Sequence, residues 1–78
     1  MIRNRIRELR NQHGLSQAGL AARVGVSRVT INAIEASRWD PSLDLAFSIA
    51  HHLSTSVDAL FDWEAAKGSP RSRRRRDG

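Results

Sequence analysis

Arg28 and Asn32 lie four residues apart, and Val29 and Ala33 each follow one of them. On a helix this spacing gathers all four on one side. The chemistry on offer is base reading. An arginine donates two hydrogen bonds to guanine, an asparagine pairs with adenine, and the methyl groups of valine or alanine meet a thymine methyl. Ile31 and Ile34 lie 60° apart on the other side and can anchor the helix to a core. A face with one arginine, one amide and small side chains, Ala36 included, differs from the long charged residues that a surface helix usually shows to water. It suits close approach to base edges in a major groove.

Several elements must hold that face. The stretch "GVSRVTINAIE", residues 25–35, opens with a glycine suited to a left-handed helix end and a serine suited to a helix start. It reads as a turn at Gly25 followed by a third helix, about residues 28–36, capped by Ser27. Before it, Ser16 caps a second helix over about residues 17–24, with Leu20, Ala21 and Val24 inward. Ala21 is the small residue that lets the two helices cross closely, and Val26 plugs the turn. Residues 2–13 form a first helix, with Ile2, Ile6, Leu9 and His13 in one stripe. Gly14 ends it and Leu15 folds back beneath. After a loop at "SRWDP", Asp40 or Ser42 caps a fourth helix with Leu43, Ala46, Phe47, Ala50 and Leu53 inward. Ser56 caps a fifth with Val57, Leu60 and Phe61 inward. No alternating run long enough for a strand appears. The expected fold is all-α, a compact five-helix bundle spanning residues 1–66.

Charge is polarised along the chain. Residues 1–38 hold seven arginines and two glutamates, a balance of +5; residues 39–66 hold five acids and no Lys or Arg, a balance of −5. Residues 67–78, "KGSPRSRRRRDG", return to +5 and have too few apolar residues to build a core, so a disordered basic tail is expected. A basic half and a basic arm suit a polyanion, although small proteins also segregate charge for solubility alone. Gln17 and Ser27, at two helix starts, can bond phosphates together with free backbone N–H groups. Arg38 can reach a phosphate with Trp39 bracing it, while the plainer role for Trp39 is packing over the start of the fourth helix. In the tail, Arg71, Arg73, Arg74, Arg75 and Arg76 suit phosphates rather than bases. A solubilising end and a handle for an acidic partner are the other readings.

The segments "LSQAGLAARVGVSRVTINAIE", "PSL", "IA" and "SVDALF" together resemble the Cro/repressor-type (XRE) helix-turn-helix regulators. The resemblance covers about residues 2–62 and is nearest to short, stand-alone bacterial members. It implies a lambda-repressor-like fold whose second and third helices form the helix-turn-helix. The function implied is sequence-specific binding of double-stranded DNA as a transcriptional regulator, a repressor by expectation. It further implies that Gln17 binds a phosphate and braces the third helix. Arg28, Val29, Thr30, Asn32 and Ala33 face DNA, with Thr30 taken as a phosphate contact, and Arg10 pairs with Glu35 across the first and third helices. One departure stands out. Many relatives carry glutamate where Gly19 stands, closing a capping box with Ser16. Gly19 forgoes that bond and should weaken the second helix by about 1 kcal/mol.

Other functions find less support. His13, His51 and His52 lack metal-ligand spacing and no cysteine joins them, so neither metal nor cofactor is expected. No Gly-x-Ser-x-Gly elbow or other catalytic motif occurs, so no enzymatic activity is expected. No apolar run approaches the roughly 18 residues of a membrane span. The start "MIRNRIRELR" is too charged for a signal peptide, and the lack of cysteine fits a reducing compartment, so a cytoplasmic location is expected. One such small domain buries little DNA, which favours a homodimer, with Phe61 and Trp63 as its expected apolar anchors. An antitoxin-like protein, binding a protein partner through the fourth and fifth helices and DNA for autoregulation, is the alternative, and nonspecific nucleic-acid packaging driven by the basic tail is a third reading.

Overall fold

The computed structural model describes residues 2–63. The basic segment 67–78, with Arg71, Arg73, Arg74, Arg75 and Arg76, lies outside the described residues. Five helices follow in order: α1 (Ile6–Gln12), α2 (Gln17–Val24), α3 (Arg28–Glu35), α4 (Leu43–His52) and α5 (Val57–Leu60). Two short strands, β1 (Ile2–Asn4) and β2 (Phe61–Trp63), bracket them and pair antiparallel, with Ile2 opposite Trp63 and Asn4 opposite Phe61.

Local chemistry sets most of the boundaries. Ser16, Ser27, Ser42 and Ser56 each sit at a helix start, and each hydroxyl accepts from the backbone N–H three residues on. These are four of the donors a helix end otherwise leaves unpaired. Gly25 ends α2 with φ 78°, in the left-handed region where a side chain would be strained. Ser37 plays the same part after α3 with φ 59°: its N–H bonds the Ile34 carbonyl, and the Arg38 N–H bonds that of Ala33. That pair of bonds turns the chain back over the last turn of α3.

The core consists of Ile6, Leu20, Ile31, Ile34, Ile49, Leu53 and Leu60, all with under 2% of their surface exposed. Each contributes about 1.5–3 kcal/mol by leaving water. Leu9, Leu15, Val24, Val26, Val57 and Phe61 pack around them. α2 and α3 make the most extensive contact between helices, with Ala21 buried.

The structure departs from the sequence reading in three places. The first helix begins at Ile6, not at residue 2. The Asn4 side chain accepts from the Ile6 N–H at 3.1 Å and donates to the Ile34 carbonyl at 2.8 Å, while the Arg5 N–H bonds the Leu60 carbonyl. Those bonds give the backbone an alternative to a helical turn. Phe61 accordingly belongs to a strand and not to α5. On α4, Leu45 and Ile49 join Ala46, Ala50 and Leu53 in the core, whereas Leu43 and Phe47 are 71% and 58% exposed. Asp44, Ser48, His51 and His52 share one strip of the helix and the remaining, wide arc is apolar, so two apolar stripes compete; α2 and α5 pack on the Leu45–Ile49 side.

Candidate nucleic-acid interface

The outer face of α3 is built from its first residue onward. Ser27 fixes the start: its Oγ accepts from the Thr30 N–H at 3.1 Å and lies 3.0 Å from Thr30 Oγ1. Only one of the two hydroxyl protons is committed to that pair, so the other remains to donate to an anion. Arg28 and Val29 are exposed, Val29 by 66%, and Thr30, Asn32 and Ala33 are half-buried. One turn further on, Arg38 Nη2 donates to Asn32 Oδ1 at 2.9 Å. The sequence offered no sign of this bond, because it depends on the backbone reversal at Ser37.

Behind that face, a buried charge holds α3 to the other helices. The Glu35 side chain is only 2% exposed, and the Arg10 Nε donates to its Oε2 at 2.8 Å. Arg10 Nη2 reaches Glu35 Oε1 at 3.3 Å, and Gln17 Nε2 donates to the same oxygen at 3.0 Å. Arg10 also donates through Nη1 to the Leu15 carbonyl at 2.9 Å. Glu35 thereby links the start of α2 and the end of α1 to the last turn of α3. Arg7 adds a longer contact, 3.7 Å from Glu35 Oε1, that the sequence reading overlooked. Its place three residues before Arg10, on the same face of α1, was the available signal. Burial alone pushes the Glu35 carboxyl up, but the hydrogen bonds from Arg10 and Gln17 and the charges of Arg10 and Arg7 outweigh it and hold the group below its usual value.

Gln17 is half-buried, and its second amide proton remains available beside the bond to Glu35. It can therefore brace α3 and donate to a phosphate at once. Arg38 and Ser27 are exposed at opposite ends of α3. The face is polar at both ends and small in the middle, on a helix tied to α1 and α2 through a buried carboxylate.

The helix-turn-helix family profile matches residues 6–60. The chain belongs to the helix-turn-helix family. This helix-turn-helix protein is 43% identical over 63 residues to an uncharacterised HTH-type transcriptional regulator of Methanocaldococcus jannaschii, covering 81% of this chain and 96% of the relative. It is 54% identical over 69 residues to another, from Methanothermobacter thermautotrophicus, covering 85% and 100% respectively. The likeness thus extends beyond bacteria. Among solved structures, the P22 c2 repressor in complex with a synthetic operator superposes with a TM-score of 0.67 at 35% identity, over 69% of this chain and 82% of the repressor. Fold, family and relatives together support DNA-binding transcriptional regulation of the XRE type.

The remaining site expectations fall outside the α3 face. Phe61 is half-buried and packs against the helix-turn-helix protein's own core. Trp63 pairs through its backbone with Ile2. Trp39 is half-exposed in the loop before α4. His13 and His52 each lie within hydrogen-bond distance of a backbone carbonyl, of Leu53 and Ser48 respectively. Among the described residues no three His, Cys, Asp or Glu side chains come together as a metal would require, and no helix is long and apolar enough to cross a membrane.

Proposed function

We propose that this protein is a sequence-specific repressor of transcription that binds double-stranded DNA in the cytoplasm as a homodimer, with α3 in the major groove. The observation that carries the reading is the α3 face itself: Arg28, Val29, Asn32 and Ala33 stand on one side of a helix whose orientation is fixed by Glu35. Arg28 and Asn32 read bases, while Val29 and Ala33 meet thymine methyls. Gln17, Ser27, Thr30 and Arg38 hold the register through phosphates, which positions the reading residues without itself specifying sequence. Two copies are needed because one domain of this size covers too little DNA for high specificity. The reading includes no catalytic step.

Selection of bound sites from random duplex DNA tests the proposal. A palindrome with half-sites about 10 bp apart, or a multiple of a helical turn, is expected. Binding with no sequence preference at physiological salt would overturn it.

A second reading, in which α4 receives a protein partner, is favoured by the exposed Leu43 and Phe47 with Trp39 beside them in sequence. Replacing Leu43 and Phe47 by serine should leave DNA affinity per monomer unchanged. If a partner protein captured with the native chain is lost with this variant, that reading gains over dimerisation.

A further inference from the structure

The Arg38–Asn32 contact fixes more than a side-chain position. At 2.9 Å from Arg38 Nη2, the Asn32 atom must be the amide oxygen, because a guanidinium has five donors and no acceptor. The Asn32 amide nitrogen therefore points away from Arg38, and its two N–H groups are the ones left to present. Arg38 is held in place by backbone: Ser37 adopts φ 59°, and the Arg38 N–H closes on the Ala33 carbonyl at 2.9 Å. Asn32 is half-buried on α3, while Arg38 is exposed.

We propose that Arg38 is a specificity-determining residue that acts through Asn32, converting an amide that would otherwise match adenine into a donor that selects guanine. A free asparagine offers adenine both halves of what it needs, an acceptor for N6–H and a donor for N7. Guanine presents two acceptors, N7 and O6. With one lone pair of Asn32 Oδ1 taken, and a positive guanidinium beside the other, an incoming amino group meets a weakened acceptor flanked by like partial charge. An incoming acceptor meets two free N–H groups and a nearby cation. The same reasoning disfavours cytosine, whose N4 amino group is a donor. Arg38 keeps its remaining N–H groups for a phosphate, so positioning and backbone contact are compatible.

The inference rests on the proposed insertion of α3 in the major groove, and the test separates the two. Sites are selected from random duplex DNA with the full chain, and base preferences are measured by competition for the wild type, Asn32→Ala and Arg38→Met. The position that Asn32→Ala flattens is the one Asn32 reads. There the wild type should favour guanine over adenine by about tenfold, the scale of one bidentate contact. In Arg38→Met the ratio should fall to about one or turn towards adenine, with preferences at other positions kept. A wild-type preference for adenine at that position overturns the inference. So does an Arg38→Met variant that binds all four bases more weakly by the same factor, or one that alters a different position. A wild type with no preference at any position defeats the base-reading proposal itself, and this inference with it.

Discussion

Removing the charge of Glu35 should cost this fold a large part of its stability. The carboxylate receives two N–H groups from Arg10 and one from Gln17, and Arg10 is itself only 9% exposed. Glu35→Met would leave a nearly buried guanidinium with two donors unanswered. Breaking a buried pair on one side costs about 3–5 kcal/mol. A chain of this size has a total stability of roughly 4–10 kcal/mol. The single variants Glu35→Met and Arg10→Met should each lose about 3 kcal/mol. The double variant should lose no more than either alone, because neither charge is then stranded. Urea unfolding of all four forms in one sucrose-containing buffer, where the osmolyte keeps the weakest form folded, gives the coupling energy from the double-mutant cycle. It is expected at about 3 kcal/mol. Losses that add to within about 0.5 kcal/mol would refute the reasoning, since uncoupled sites behave that way.

The same carboxylate sets an acid limit. Its folded pKa lies below the ordinary 4.5, so the stability it contributes is fully present above 4.5 and is lost as pH falls through the lower folded value; Glu35→Met should flatten that part of the stability profile. Gly25→Ala should destabilise by about 1 kcal/mol through backbone strain alone, because a Cβ there meets nothing within 4 Å; a loss above about 3 kcal/mol in thermal unfolding would indicate a clash the structure does not contain. Gly19→Ala should raise the melting temperature slightly, by roughly 0.5 kcal/mol of helix propensity, provided Ser16 Oγ yields a few tenths of an ångström from its 3.2 Å distance. Arg28→Ala should cost about 1–3 kcal/mol on the selected site and relax one position; equal weakening on every sequence would make Arg28 a phosphate contact. Deleting residues 69–78 should flatten the salt dependence of DNA binding by roughly 3–5 phosphate contacts and leave the preferred sequence unchanged.

The second and third helices were legible residue by residue because their signals are local. Ser16, Gly25 and Ser27 each act within a few positions of themselves. The two strands were not legible, since three residues are too few to display a period of two and their partners lie at the opposite end of the described chain. On α4 the apolar residues allow two stripes that share Ala46, Ala50 and Leu53. Choosing Leu45 and Ile49 over Leu43 and Phe47 depends on where the neighbouring helices stand. The Arg38–Asn32 bond was hidden for a related reason. A serine takes the left-handed position that a glycine would have announced.

The pairing of β1 with β2 bears on the order of folding events. It joins residues about 60 positions apart, and closing a loop of that length costs roughly 4 kcal/mol of chain entropy before any contact repays it. The contact of α2 with α3 closes a loop of about 10 residues, at roughly half that cost. On loop-closure cost alone, the helical hairpin should form before the ladder, which should zip after the helices between its strands have assembled. Asn4 should then carry a φ-value near zero. Replacing it with alanine would speed the unfolding limb of the chevron and leave the refolding limb where it was.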